Sequence, residues 1–368
     1  MDFNYTEEQQ MVRDGVSKYL EKSYDFDARQ KVVRGEEPWS REAWQQFAEF
    51  GLLALPFSEE KGGLGGSITD CVAVAELFGK HLSVEPFSAS IMLAGAALAA
   101  SDNEVAQSWL EKIISGEAVG AFAYEEGRGT ARPDLIQTLC PYEGNGYVLS
   151  GEKRLVIAGA DADWLVVVAR TGEGLGLFQL DPKTPGVEMR GYTTIDGIAA
   201  ANIRFNKVQL GEDALLLADA GEALDRILAN AMIVQAAEAV GAMGALLNIT
   251  GEYAATRKQF GVPIASFQSI AHRLADMKIA YTKALSTMTY TAALAESGAA
   301  GPREIATLKG QIGKLGREVG EAAIQTHGGV GMTDELNVSH YHKRLLALDA
   351  MFGGHEYHLR MLGLPQAA

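Results

Sequence analysis

At Gly116–Gly120 the chain drops one hydrophobic rhythm and takes up another, and that switch restricts the folds open to it. Ahead of it, Met11, Val12, Val16, Tyr19 and Leu20 recur at helical spacing. Thr6-Glu7-Glu8-Gln9 before them has the form of a capping box, with Gln9 returning a bond to the cap. Ser40 is expected to cap a second helix through Trp44, Phe47 and Phe50, which Gly51 ends. After a loop at Ser58–Ser67, helical patterns continue over Ile68–Phe78, Phe87–Ala99 and Asn103–Ile114. From the switch to about Leu210 the pattern becomes short β-branched and aromatic runs parted by Gly, Pro and Asp, such as Tyr147–Leu149, Leu165–Val168, Gly176–Leu180 and Asn202–Phe205. Their spacing predicts a compact β-domain rather than a parallel sheet. Helical periodicity then returns over Leu224–Thr256, Phe267–Ala295, Pro302–His327 and Ser339–Leu362. The first of these is rich in Ala and Gly, which suits close helix–helix contact. The expected fold class is α+β: an N-terminal helical domain (1–115), a middle β-domain (116–213) and a C-terminal four-helix bundle (214–368).

Composition excludes some functions. A hydrophobic share of 47% over 368 residues is enough for more than one packed layer. No apolar run reaches the roughly 20 residues that span a bilayer. The acidic, polar start MDFNYTEEQQ lacks the basic, apolar and small-residue order of a signal peptide, so a cytoplasmic location is expected. Cys71 and Cys140 have no metal-ligand spacing and are read as separate thiols. Net charge is −15 and the Lys and Arg residues are scattered, so the basic stripe of a nucleic-acid binder is missing. A diphosphate held by one or two local arginines and backbone amides remains compatible with that charge.

Three short segments have chemistry to offer. In Thr256-Arg257-Lys258-Gln259-Phe260-Gly261, helical spacing places Arg257 and Phe260 on one face, where guanidinium and ring suit an adenosine diphosphate. Basic residues and a glycine ending a helix give the same pattern. Gln325-Thr326-His327-Gly328-Gly329-Val330-Gly331 lets the backbone approach a phosphate, yet a helix-ending turn reads alike. Gly62-Gly63-Leu64-Gly65-Gly66-Ser67 lacks the lysine of a phosphate loop and is read as a tight surface loop. No metal site is expected, because His327, the pair His340/His342 and the pair His355/His358 lack acidic or thiol ligands at suitable spacing.

Together and in order, these segments resemble the acyl-CoA dehydrogenase family. Leu55-Pro56 with Lys61-Gly62-Gly63-Leu64-Gly65 is similar to its Pro…Gly-Gly-x-Gly loop, and Gly151-Glu152-Lys153 followed by Asp163-Trp164-Leu165-Val166-Val167 to its mid-domain signature. Arg257-Lys-Gln-Phe260-Gly, Phe267-Gln268 and Leu274-Ala275-Asp276-Met277 match its Arg-x-x-Phe-Gly run, and Gln325-x-x-Gly328-Gly329-x-Gly331 its Gln-x-x-Gly-Gly-x-Gly block. The resemblance covers nearly the whole chain. It implies an FAD cofactor shared across a subunit interface, with Arg257, Phe260 and Gln268 on the ADP half and Gln325, Gly328 and Gly329 completing that contact.

At the flavin-ring end the chain departs from the family. Glu125-Glu126 stands where a Thr-Glu pair is usual, and in Lys153-Arg154-Leu155-Val156-Ile157 the ring-facing aromatic and threonine have become Leu155 and Ile157. The family's catalytic glutamate falls at Phe352 or Gly353, or in its alternative location at Ala231, and none of these takes a proton. Glu356 and Asp349 are neighbours in sequence only. The wording Phe267-Gln-Ser-Ile-Ala-His-Arg and His340-Tyr-His-Lys-Arg-Leu resembles the smaller subunit of two-chain bacterial enzymes of the pimeloyl-CoA and steroid side-chain type. The resemblance therefore implies a heterotetramer with a homologous chain, an acyl-CoA substrate and an electron-transfer flavoprotein as acceptor. Two rival readings are a homo-oligomer with Glu356 as relocated base, and a non-catalytic scaffold subunit.

Overall fold

The computed structural model describes residues 5–127 and 132–363. Helix α1 (Glu7–Ser23) begins with the expected capping box: Thr6 Oγ1 accepts from Gln9 N at 3.2 Å and Gln9 Oε1 accepts from Thr6 N at 3.0 Å. It buries Val16 and Leu20, whereas Met11 stays 75% exposed. After α2 (Phe26–Val33), α3 (Arg41–Glu49) is capped by Ser40, whose Oγ accepts from Ala43 N at 3.1 Å. The loop before α4 (Ile68–His81) holds Gly63 and Gly66 against neighbouring backbone. A Cβ on them would lie 2.1 Å from Phe57 O and 2.8 Å from Leu55 O, so close packing explains both glycines.

The run Phe87–Ala99 differs from the regular helix expected of it. Phe87–Gly95 winds as a buried π-helix before α5 (Ala96–Ala99), and its Ser90 Oγ accepts the N–H of Gly120 at 3.1 Å. Asn103 caps α6 (Glu104–Ile114) through Val105 N and Ala106 N.

Among the described residues seven strands follow: β1 (Gly120–Ala123), β2 (Tyr147–Ile157), β3 (Trp164–Arg170), β4 (Leu175–Leu180), β5 (Val187–Thr193), β6 (Ala199–Leu210) and β7 (Leu215–Leu217). They form one sheet in the order β1-β3-β4-β7 and a second in the order β2-β6-β5. Only the β1–β3 pair is parallel. On β6, Ala201, Ile203 and Phe205 join Leu165, Val167 and Phe178 in one apolar core, while Asn202, Arg204 and Asn206 face outward. Cys71 and Cys140 are buried free thiols.

The C-terminal part contains α7 (Gly221–Thr256), a small hairpin of β8 (Lys258–Gln259) and β9 (Val262–Pro263), then α8 (Gln268–Glu296), α9 (Pro302–His327), α10 (Asn337–Ala350) and α11 (His355–Gly363). Among the described residues α7 alone is long and apolar enough to cross a membrane, but 72% of its apolar stretch is buried within the protein. Its Ala/Gly content has a local cause: a Cβ on Gly241 would sit 1.8 Å from Glu76 O, and one on Gly79 of α4 1.8 Å from Glu238 O. The two helices thus cross backbone to backbone. Helix α9 packs on α8, α10 and α11, with Gly313, Gly316 and Gly320 spaced to admit side chains of the following segment.

Ser339–Leu362 is two helices rather than the single one expected. Phe352 (φ 55°) and Gly353 (φ 88°) adopt left-handed backbone and break it. Asp349 Oδ1 then accepts from His355 N at 2.7 Å and starts α11 afresh. By contact the chain forms two compact units, one taking in the segment ending at Gln30, Val72–Ser83 and the part from Met232 onward, the other Lys31–Cys71 and Val84–Ala231.

Candidate functional site

Helix α7 stops at Thr256, so Arg257 and Phe260 do not share a helix face as their spacing suggested. The chain turns instead through the β8–β9 hairpin, closed by Ile264 N donating to Arg257 O at 2.8 Å. Phe260 (φ 52°) and Gly261 (φ 84°) occupy the two turn positions. Both have positive φ, the signature of a type I′ turn, which favours Asn-Gly. A phenylalanine there is strained, and its ring is 94% exposed. Its neighbour is Phe267, edge-on at 6.2 Å between centroids, and Gln268 follows as the first residue of α8.

Gln325, Gly328 and Gly329 lie at the end of α9 and are all exposed. Gly328 has φ 68° and ψ −147°, a conformation close to glycine-only, and a side chain on Gly329 would meet open space. Tyr253, which motif reading passed over, joins this turn to the end of α7 through His327. Tyr253 stacks on His327 at 4.3 Å, and its hydroxyl donates to His327 O at 3.4 Å. His327 Nδ1–H donates to Ala323 O at 2.9 Å, and burial holds the ring below its usual pKa, so it packs as a neutral ring. The signal was available, since Tyr253 lies one helical turn before Arg257, but a tyrosine on a helix face is common.

This surface suits the adenosine end of a nucleotide. It offers one guanidinium, two side-chain amides, an uncovered glycine turn and an exposed ring. Among the described residues no group of three or more His, Cys, Asp or Glu side chains gathers as for a metal.

The base positions are closed. Ala231 is fully buried, and Phe352 is 3% exposed with its carbonyl accepting from His358 Nε2–H at 2.9 Å. A Cβ on Gly353 would fall 2.6 Å from Tyr357 Cδ1. Asp349 is committed to His355, whose Nδ1 lies 2.7 Å from Oδ2. Glu356 points to solvent, its side chain 73% exposed and 3.3 Å from Arg360. No structural feature singles out either carboxylate as a substitute base.

The β-domain segment that departs from the family is built around a buried ion pair. Lys153 Nζ donates to Glu126 Oε1 at 2.9 Å and to Tyr124 O at 3.1 Å. Thr138 N and Oγ1 also donate to Glu126 Oε1, and Gln137 N donates to Oε2 at 2.7 Å. Burial lowers the Lys153 ammonium to about 8, against the pull of Glu126. Burial alone would raise Glu126, but Lys153 and Thr138 outweigh it and keep the carboxyl below its usual value. Glu126 is therefore structural. Leu155 (φ 51°) lies within a bulge of β2 between Lys153 and Val156, Ala158 (φ 60°) follows the strand's end, and Leu155 and Ile157 are half-buried.

Models of the acyl-CoA dehydrogenase N-terminal, middle and C-terminal domains match residues 6–117, 121–208 and 222–364. A probable acyl-CoA dehydrogenase of Bacillus subtilis, YngJ, is 30% identical, covering 92% of this chain and 92% of its own. The acyl-CoA dehydrogenase FadE27 of Mycobacterium tuberculosis is 27% identical over 99% of this chain and 98% of its own length. Among solved structures, a chain of the ChsE4-ChsE5 complex of Mycobacterium tuberculosis superposes with a TM-score of 0.90 at 27% identity, covering 99% of this chain and 98% of that one. This chain belongs to the acyl-CoA dehydrogenase family.

Proposed function

We propose that the chain is one half of an FAD-dependent acyl-CoA dehydrogenase built from two unlike chains, the half that grips the adenosine end of the cofactor and supplies no base. The carrying observation is a conjunction: an exposed nucleotide-contact set is intact, while both base positions hold buried, non-ionisable side chains. When bound, FAD would supply the acceptor for the β-hydride as an acyl-CoA becomes the 2,3-enoyl thioester. Arg257 would pair with the diphosphate, Phe260 would pack on the adenosine, and Gln268, Gln325 and the Gly328–Gly329 amides would complete the grip. The α-proton is removed by a carboxylate of the homologous partner, because neither Ala231 nor the Phe352–Gly353 bend has one to offer. The assembly is a cytoplasmic heterotetramer that passes its electrons to an electron-transfer flavoprotein. Similarity to a chain of the two-component ChsE4-ChsE5 complex supports the two-chain arrangement.

The visible absorption spectrum tests this reading. Purified alone, the chain should be colourless; co-purified with its homologous partner, it should be yellow and turn over acyl-CoA. Arg257→Ala in the complex should weaken FAD retention by about tenfold or more, the effect of losing a charge-assisted bond. A yellow single chain that desaturates acyl-CoA would overturn the shared-site reading. Full FAD retention in Arg257→Ala would instead favour a scaffold role.

A further inference from the structure

The outer face of the β2-β6-β5 sheet carries a donor set that the reading above does not use. Two cross-strand rows lie side by side. In the first, Glu152 of β2 and Glu188 of β5 both face Arg204 of β6, and Glu152 lies 4.0 Å from that guanidinium. In the second, Arg190 of β5 faces Asn202 of β6, and the β2 bulge brings Leu155 N within 3.4 Å of Asn202 Oδ1. Tyr192 OH donates to the same oxygen at 3.5 Å. A backbone N–H can only donate, so the atom facing Leu155 is the amide oxygen, and Asn202 Nδ2 is turned away from it. Arg154 borders the same recess, shared with Glu152 at 3.5 Å.

The two rows differ in charge. The first has two carboxylates beside one guanidinium; the second offers Arg190 and the Asn202 amide, with Arg154 shared between this row and Glu152. Together they border an open recess of about 340 Å³. On a chain of net charge −15, such a concentration of donors is local and specific.

We propose that Arg190, Asn202 and Arg154 form an anion site for a phosphate of a nucleotide ligand, separate from the Arg257 surface. Guanidinium forks and an amide N–H group are donors of the kind that bind phosphate oxygens. Arg204 stands opposite both Glu152 and Glu188 on the neighbouring strands and contributes less. Two nucleotides in this chemistry carry suitable phosphates, and they differ in where those phosphates sit: a 5′-diphosphate in FAD, a 3′-phosphate in addition in coenzyme A.

Calorimetric titration of the full-length chain with ADP and with adenosine 3′,5′-bisphosphate tests the site, in an Arg257→Ala background that weakens the other surface. At least one nucleotide should bind, and Arg190→Ala or Asn202→Leu should weaken it about tenfold, while Arg204→Ala changes it little. Preference for the bisphosphate would assign the site to the thioester cofactor, preference for ADP to the flavin nucleotide. Binding of neither nucleotide, or equal affinity with and without Arg190, would overturn the proposal. Each variant lies on an exposed sheet face, and an unchanged melting temperature checks that it folds. FAD retention in the two-chain complex is read separately, so failure here leaves the shared-cofactor reading to its own test.

Discussion

Phe260 is the residue at which stability and function pull apart. Its left-handed backbone costs on the order of 1 kcal/mol for a bulky side chain, and its exposed ring regains little by packing. Phe260→Asn puts the preferred residue into the same turn, and should raise the unfolding free energy by about 0.5–1 kcal/mol while reducing FAD retention in the complex. Denaturant titration and flavin absorbance read the two effects. A stability gain with undiminished flavin would remove the ring from the cofactor site. Motif reading reached Arg257 and Phe260 through residue type and order, but not their geometry. The helical period was expected to end at Thr256, as it does, yet the three-residue spacing of Arg257 and Phe260 still suggested a shared helix face beyond it. Only a glycine after the aromatic marked a turn, and Phe-Gly is an uncommon way to write one. The pairing of Tyr253 with His327 was missed for another reason: it joins residues far apart in sequence, and neither type is diagnostic alone.

Among the elements, the α10–α11 bend governs whether a base can be restored. Apolar periodicity across Ser339–Leu362 suggested one helix, because the break needs only two residues in left-handed backbone and leaves the pattern on either side intact. Phe352-Gly353-Gly354 carried the hint. The bend is held by Asp349 on the N–H and ring of His355 and by His358 on the carbonyl of Phe352. Inserting the family's carboxylate as Gly353→Glu therefore meets φ 88° and a Cβ position 2.6 Å from Tyr357 Cδ1. It should destabilise the chain by about 1–3 kcal/mol and give no dehydrogenase activity in the chain alone. Acyl-CoA turnover by this single variant, assayed with an artificial electron acceptor, would show that only the carboxylate was missing. By contrast the helix starts at Thr6, Ser40 and Asn103 were legible or nearly so, since a cap is a local bond between neighbours in sequence.

Over the whole molecule, buried histidines set the response to acid. Burial pushes His81 and His358 from 6.5 down to about 4, and moves His327, His340 and His342 in the same direction. Around His81, Lys80 deepens the effect and Glu21 opposes it; around His358, the bond to Phe352 O opposes it, Lys309 deepens it and Asp349 opposes it. A folded pKa below the unfolded one means that the unfolded chain binds protons first as pH falls. The stability these neutral rings contribute is complete above about 6.5 and is lost on the way down to about 4. Denaturant midpoints should thus decline steadily across that interval, above the range in which most carboxylates titrate. His81→Leu removes a ring whose buried Nε2 has no hydrogen-bond partner among the described residues, and His358→Gln keeps a donor for Phe352 O. The double variant should hold its midpoint further into acid than the parent. A midpoint that falls in parallel for both proteins would place the acid sensitivity elsewhere, in carboxylates such as Glu126 that are held ionised by their partners.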